Sequence, residues 1–143
     1  MNINPYVFFN GRCEEAINFY RRAFGADEVF LMRYKESPEQ PPMPLPPGWE
    51  DKVMHASLKV GTTLLMGSDG CGAPESSSAP AFQGFALSVE MPDQQAAERA
   101  FHALAEGGKV QMPLGKTFFA PCFGMLTDRF GLGWMVIVNE KPE

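Results

Sequence analysis

The sequence predicts an α+β fold built from two copies of one βαβββ unit. Three observations predict it. The order strand, helix, strand, hairpin occurs twice along the 143 residues. The two helical stripes are in register, with Phe19, Ala23 and Gly25 mapping 82 residues on to Phe101, Ala105 and Gly107. A segment rich in Gly, Ser, Ala and Pro, Gly67 to Ala81, separates the copies. At about 100 to 200 residues per domain, the length fits a single domain spanning 1–143. Its first module covers about 1–67, a mobile linker about 68–81 and the second module about 82–140.

The first copy opens with Ile3 to Phe9, aromatic and β-branched, which ends at the turn signal Asn10-Gly11 and reads as a strand. Ala16, Ile17, Phe19, Tyr20, Ala23 and Phe24 then form one apolar stripe, so a helix runs from about Cys13 to Phe24. Glu14 and Glu15 in its first turn, Arg21 and Arg22 near its end and Gly25 beyond it suit the helix dipole and a left-handed C-terminal cap. Glu28 to Tyr34 reads as the second strand. Val53 to Val60 alternates Met54, Ala56, Leu58 and Val60 against Val53, His55, Ser57 and Lys59, and Gly61-Thr62 turns it into Thr63 to Met66.

The second copy starts with a strand over Phe82 to Met91, followed by Asp93 as helix N-cap and a stripe of Ala96, Ala97, Ala100, Phe101, Leu104 and Ala105 that Gly107-Gly108 ends. Lys109 to Pro113 is a strand closed by its proline. Phe118 to Thr127 and Gly133 to Asn139 flank the turn Asp128 to Gly131. Between second and third strands, six prolines lie from Pro38 to Pro47, and Pro44 to Pro47 fits P-x-x-P. Inside a fold, a proline-stiffened lid or dimer contact is commoner than an SH3-type ligand.

Composition narrows the function. Apolar residues make up 45% and charged residues 20%, enough for a hydrophobic core. Twelve Lys+Arg against 17 Asp+Glu give a net charge of −5 with no basic cluster, which argues against nucleic acid. The longest apolar runs, Phe118 to Leu126 and Leu132 to Val138, fall short of the ~20 residues that span a bilayer. Met1 to Pro5 lacks the basic and apolar regions of a signal peptide, so the expectation is a soluble cytoplasmic protein. Cys13, Cys71 and Cys122 are an odd set without C-x-x-C spacing and read as reduced thiols.

The runs Pro5 to Gly25, Val53 to Leu58 with Leu64 to Asp69, and Thr127 to Met135 resemble the PhnB-like branch of the vicinal-oxygen-chelate superfamily, over essentially the whole chain. That superfamily also holds glyoxalase I, bleomycin and fosfomycin resistance proteins and extradiol dioxygenases. The resemblance implies the glyoxalase/bleomycin-resistance/dioxygenase fold: two modules whose mixed sheets curl into a cup with the helices outside, commonly in a homodimer. Members of the branch have also been labelled ubiquinone-pathway methyltransferases. No Gly-rich turn opening a helix after a buried strand supports that here.

In the superfamily, His, Gln and Glu side chains at four strand positions hold a divalent metal that polarises a substrate oxygen. Counted from the matched motifs, these positions fall at Pro5, Met66, Gly84 and Met135, none of which ligates a hard cation. A shift of one residue brings in the uncharged amide oxygens of Asn4 and Gln83. No metal or other cofactor is therefore expected.

Alternation then puts Met54, Ala56, Leu58 and Val60 against the helix. The opposite face of that strand looks into the cup, where the expected ligand pocket comprises Val7, Phe9, His55, Ser57, Met66, Ala86, Ser88, Phe119 and Met135. His55 is the candidate acid/base or hydrogen-bond donor, the role an imidazole side chain suits. Asp69 and Asp128 read as turn formers, His102 as a surface residue and Glu90 as an acid without a visible partner. The expected function is a metal-free, small-molecule-binding protein that takes a small, partly apolar ligand. The alternative is a lyase, isomerase or dioxygenase-type enzyme of the same fold that uses an atypical metal site or His55.

Overall fold

The computed structural model describes residues 1–38, 47–70 and 82–139. Most of the proline-rich loop and the part of the expected linker beyond Gly70, Cys71 included, lie outside the described residues. The chain forms two compact units, Met1–Ser78 and Ala79–Glu143. Each has the predicted βαβββ order, and the fold is α+β.

In the first unit, β1 (Tyr6–Phe8), α1 (Cys13–Phe24), β2 (Val29–Arg33), β3 (Val53–Val60) and β4 (Thr63–Ser68) make a four-stranded sheet of order β1-β4-β3-β2. The β1–β4 pair is parallel and the other pairs are antiparallel. In the second unit, β5 (Leu87–Glu90), α2 (Gln94–Ala105), β6 (Lys109–Gly115), β7 (Cys122–Thr127) and β8 (Gly133–Val138) repeat that layout in the order β5-β8-β7-β6. Short 3-10 turns lie at Tyr34–Glu36 and Trp49–Asp51. No helix among the described residues is long and apolar enough to cross a membrane.

Each helix covers one face of its own sheet. Ala16, Ile17, Phe19 and Tyr20 of α1 are buried with Ala56 and Leu58 of β3, as the alternation in that strand requires. Ala97, Ala100, Phe101 and Leu104 of α2 are buried with Trp134, Val136 and Leu126. The helix ends are those the sequence encodes. Gly25 takes the left-handed conformation at φ 64° and donates its N–H to the Arg21 carbonyl. At the start of α2, the Asp93 carboxylate accepts from the Ala96 amide at 2.8 Å.

Five boundaries differ from expectation by two residues or more: β1 is Tyr6–Phe8 rather than Ile3 to Phe9, and the other four differ each for a local reason. β4 continues through Gly67 and Ser68 rather than ending at Met66, and both residues are buried. Gly67 is paired with Val7 on one side and Ala56 on the other, and the position takes glycine because a Cβ there would stand 2.8 Å from the Phe9 ring and 2.9 Å from the Val7 carbonyl. β5 begins at Leu87 rather than Phe82, because Gly84 sits at φ 81° and breaks the extended run. β7 begins at Cys122 because Thr117 to Ala120 close a turn through the Thr117 amide and the Ala120 carbonyl, 3.0 Å apart. β6 runs past Pro113 to Gly115, since it is an edge strand whose register shifts absorb the missing N–H.

Candidate functional site

The helices leave the opposite face of each sheet open. In the first unit, strand register defines what stands there. Tyr6 is paired with Met66, Met66 with Ser57 and Ser57 with Phe30, a row that crosses all four strands. One step along, Met32 is paired with His55. The Tyr6 hydroxyl and His55 Nδ1 are hydrogen-bonded at 3.1 Å. Around this bond, the Tyr6 and Phe8 ring centroids are 5.3 Å apart, Tyr6 and His55 5.5 Å, and Phe30 and His55 6.1 Å. The rings are tilted against one another, so they are not stacked face to face. Tyr6, Phe8 and Phe30 remain 40%, 60% and 51% exposed.

This corrects the expected pocket at its first strand. Val7 and Phe9 are 3% and 5% exposed and lie on the helix side, the Phe9 ring 6.1 Å from Tyr20 of α1. Register decides the matter: Tyr6, not Val7, is the partner of Met66, so the open side carries Tyr6 and Phe8. His55, Ser57 and Met66 are on the open face as expected. Sequence reasoning missed Tyr6, Phe8 and Phe30. The signal that finds them is the pairing of the first strand with the hairpin.

The second unit's open face differs in chemistry. Met112 is paired with Met125, Met125 with Met135 and Met135 with Ser88, a thioether row that ends in a hydroxyl. The next row pairs Phe123 with Ile137 and Ile137 with Glu90. Phe119 is half exposed in the turn before β7, its ring 5.0 Å from Phe123 and 5.1 Å from the fully exposed Phe118. That turn, Lys116 to Pro121, bounds an open cavity of about 390 Å³. Ala86 lies just before β5, where a Cβ built on Gly133 would meet it at 3.4 Å. Ser88, Met135 and Phe119 thus belong to or border this face. His102 lies on the exposed side of α2.

The two aspartates are more than turn formers. Asp69 is 2% exposed, and its carboxylate accepts from the amides of Gly11 at 3.0 Å, Cys13 at 2.8 Å and Val53 at 2.8 Å. It pins the start of α1 and the start of β3 to the end of β4. Asp128 does form its turn, accepting from Phe130 at 2.8 Å and Leu132 at 3.0 Å, and it also accepts from the Trp134 indole at 2.9 Å. Burial, with Asp69 and Glu14 nearby, pushes the Cys13 thiol up to about 12, and burial with Glu98 raises that of Cys122. Neither is an activated nucleophile.

The residues at the four positions that the resemblance implies for metal ligands do not suit a hard divalent cation. Of the four ligand positions, Pro5 offers a carbonyl that the Met66 amide already occupies at 3.0 Å, Gly84 has no side chain, and Met66 and Met135 present soft thioethers. Among the described residues, no group of three or more His, Cys, Asp or Glu side chains comes together to hold an ion.

Paired βαβββ modules with helices on one face of each sheet define a glyoxalase-type fold. A glyoxalase-related enzyme from Fulvimarina pelagi, 19% identical with a TM-score of 0.57, shares it over 97% of this chain and 88% of its own. The chain belongs to the PhnB-like family, whose model, described as 3-demethylubiquinone-9 3-methyltransferase, matches residues 1–137. The crystal structure of protein PA1353 from Pseudomonas aeruginosa is 42% identical, with a TM-score of 0.81 and 99% of both chains covered. The Bacillus cereus PhnB protein, described as a putative 3-demethylubiquinone-9 3-methyltransferase, is 30% identical, with a TM-score of 0.73 and coverage of 96% of this chain and 99% of that one. Protein YjdN of Escherichia coli strain K12 is 30% identical, with 99% of each chain covered.

Proposed function

We propose that this protein binds a small, partly apolar molecule on the open face of its first unit, without the superfamily's metal, and that it does so as a homodimer. The observation that carries the reading is the set of three exposed rings, Tyr6, Phe8 and Phe30, around the Tyr6–His55 hydrogen bond. Exposed rings gathered about one polar pair have the make-up of a ligand site: apolar walls that take up area and a few polar atoms that orient. Met32 and Met66 beside them supply a floor that adjusts to the ligand's outline. Methyl transfer is not part of the reading. The turns that open α1 and α2, Asn10-Gly11-Arg12 and Pro92-Asp93, lack the Gly-rich run that a nucleotide-type cofactor asks for.

Native mass spectrometry of untagged protein tests this directly. The expected result is a co-purified molecule of defined mass at one per chain, bound about tenfold more weakly by Phe30→Ala, the loss equivalent to one aromatic wall. Stoichiometric nickel, zinc, manganese or iron in the same sample would overturn the metal-free part. Ring resonances of Tyr6, Phe8 and Phe30 that stay fixed when the co-purified molecule is removed would overturn the site.

A further inference from the structure

We propose that the turn between β6 and β7 is a second small-molecule site, and that it takes a flat aromatic monocarboxylate. It stands apart from the site on the first unit and does not rest on it.

The turn holds two rings out of the core. β6 ends at Gly115, and the Thr117 amide then donates to the Ala120 carbonyl at 3.0 Å. The Thr117 hydroxyl oxygen accepts from the Ala120 amide at 3.1 Å, which closes the loop a second time. Ala120 is 4% exposed and seats the end of the turn, and Pro121 leads directly into β7. Phe118 and Phe119 are left at the tip. Phe118 is wholly exposed, more so than any other aromatic side chain among the described residues.

These rings are oriented by one another. Phe118 meets Phe119 edge to face at 5.1 Å and 85°, and Phe119 meets Phe123 in the same way at 5.0 Å and 75°. Phe123 belongs to β7, so the chain of rings is rooted in the sheet and ends on a phenyl group that the protein does not cover. Such a surface gains from a flat apolar body laid against it.

The cavity of about 390 Å³ gives that body a place, and it is lined by Lys116 through Pro121 alone. Its volume lies toward the lower end of the range of about 300 to 1,000 Å³ found for ligand pockets, which suits a molecule of one or two rings. The polar lining decides the charge of the occupant. Lys116 is the one charged residue there, and its ammonium has no ion pair or hydrogen bond among the described residues. The Thr117 hydroxyl is engaged within the turn. A sugar or a polyphosphate would meet one cation and no further free polar side chain. A flat ring with a single carboxylate uses what the lining provides: one ammonium for the charge and two rings for the body.

The probe is 2-naphthoate, titrated into the full chain and followed by the side-chain resonances of the phenylalanines and tyrosines. A dissociation constant below about 1 mM is expected, with Phe118, Phe119 and Phe123 shifting and Tyr6, Phe8 and Phe30 unmoved. Lys116→Gln should weaken binding about fivefold, whereas Lys109→Gln, at an exposed lysine of β6 outside the lining, should stay within about twofold of wild type. Phe118→Ala should weaken it about tenfold. Added salt should weaken the wild type more than Lys116→Gln, because an exposed ion pair is screened. A dissociation constant above about 1 mM overturns the proposal, as do equal affinities for 2-naphthoate and neutral 2-naphthamide or equal losses in the two lysine variants. If 2-naphthoate shifts Tyr6, Phe8 and Phe30 instead, this site falls and the reading of the first unit gains. A Phe118→Ala change that splits a wild-type dimer and leaves 2-naphthoate affinity unaltered assigns the ring to a second copy and also overturns the site.

Discussion

The two units share an order of elements, a sheet topology and a helix on one face, yet they differ in what anchors them and in what their open faces carry. The first is drawn together by Asp69, whose carboxylate ties three backbone amides from two separate segments. The second has Asp128, which closes its own turn and holds one indole. The first open face sets a hydrogen-bonded Tyr–His pair among exposed rings. The second sets a methionine row beside Phe119 and Phe123. The helix-side pattern makes the fold and is common to both. The open side is free of that requirement, and it is there that chemistry can differ within one architecture.

The largest expected effect bears on the anchors. Asp69→Ala leaves three amides without their charged acceptor and should cost about 4 kcal/mol in urea unfolding. Asp128→Ala should cost about half as much, roughly 2 kcal/mol, because the backbone bonds Asp128–Leu132 and Gly131–Asp128 still close the turn. Equal losses would break the contrast between a long-range and a local anchor. The next effect bears on what the units share. Gly67→Ala and Gly124→Ala each force a Cβ to 2.8 Å from an aromatic ring, Phe9 and Phe101 respectively, and each should lose about 2 kcal/mol.

The smallest effect concerns the buried thiol of Cys13. Its folded pKa of about 12 lies above the ordinary thiol value, so the folded state holds the proton more tightly than the unfolded chain. The stability linked to it is fully present below about pH 8.5 and falls as pH rises toward the folded pKa, by about 1 to 2 kcal/mol at pH 10. Denaturation midpoints compared at pH 8 and pH 10 should show this loss in the wild type and a smaller one in Cys13→Ala.

Both helices were legible to within a residue, because 3.6-residue stripes, caps and flanking glycines agree at Phe24-Gly25 and at Asp93. β3 was legible from His55 to Val60, where it alternates, but at its start the register shifts and Val53, expected on the His55 face, is buried instead of Met54. The first strand was not. Tyr6, Val7, Phe8 and Phe9 are all apolar or aromatic, so alternation gives no sign of which pair faces the helix. Only the pairing with Met66 and Gly67 in β4, 60 residues on, decides it. For the same reason the candidate site was half legible. His55, Ser57 and Met66 follow from one alternating strand and its hairpin, whereas Tyr6, Phe8 and Phe30 depend on partners remote in sequence. Asp69 escaped as an anchor because an aspartate after a strand looks like a turn residue, and its three amide partners are not local.

The parallel pairing of β1 with β4 has a consequence for how the molecule is made. Tyr6 leaves the ribosome first, and its partner Met66 is added 60 residues later. At about 5 to 20 residues per second, the first strand waits roughly 3 to 12 seconds without a sheet to join. During that interval its aromatic residues have no partner strand. The nascent chain is therefore exposed over that interval to intermolecular pairing at the segment that later places Tyr6 and Phe8 on the open face.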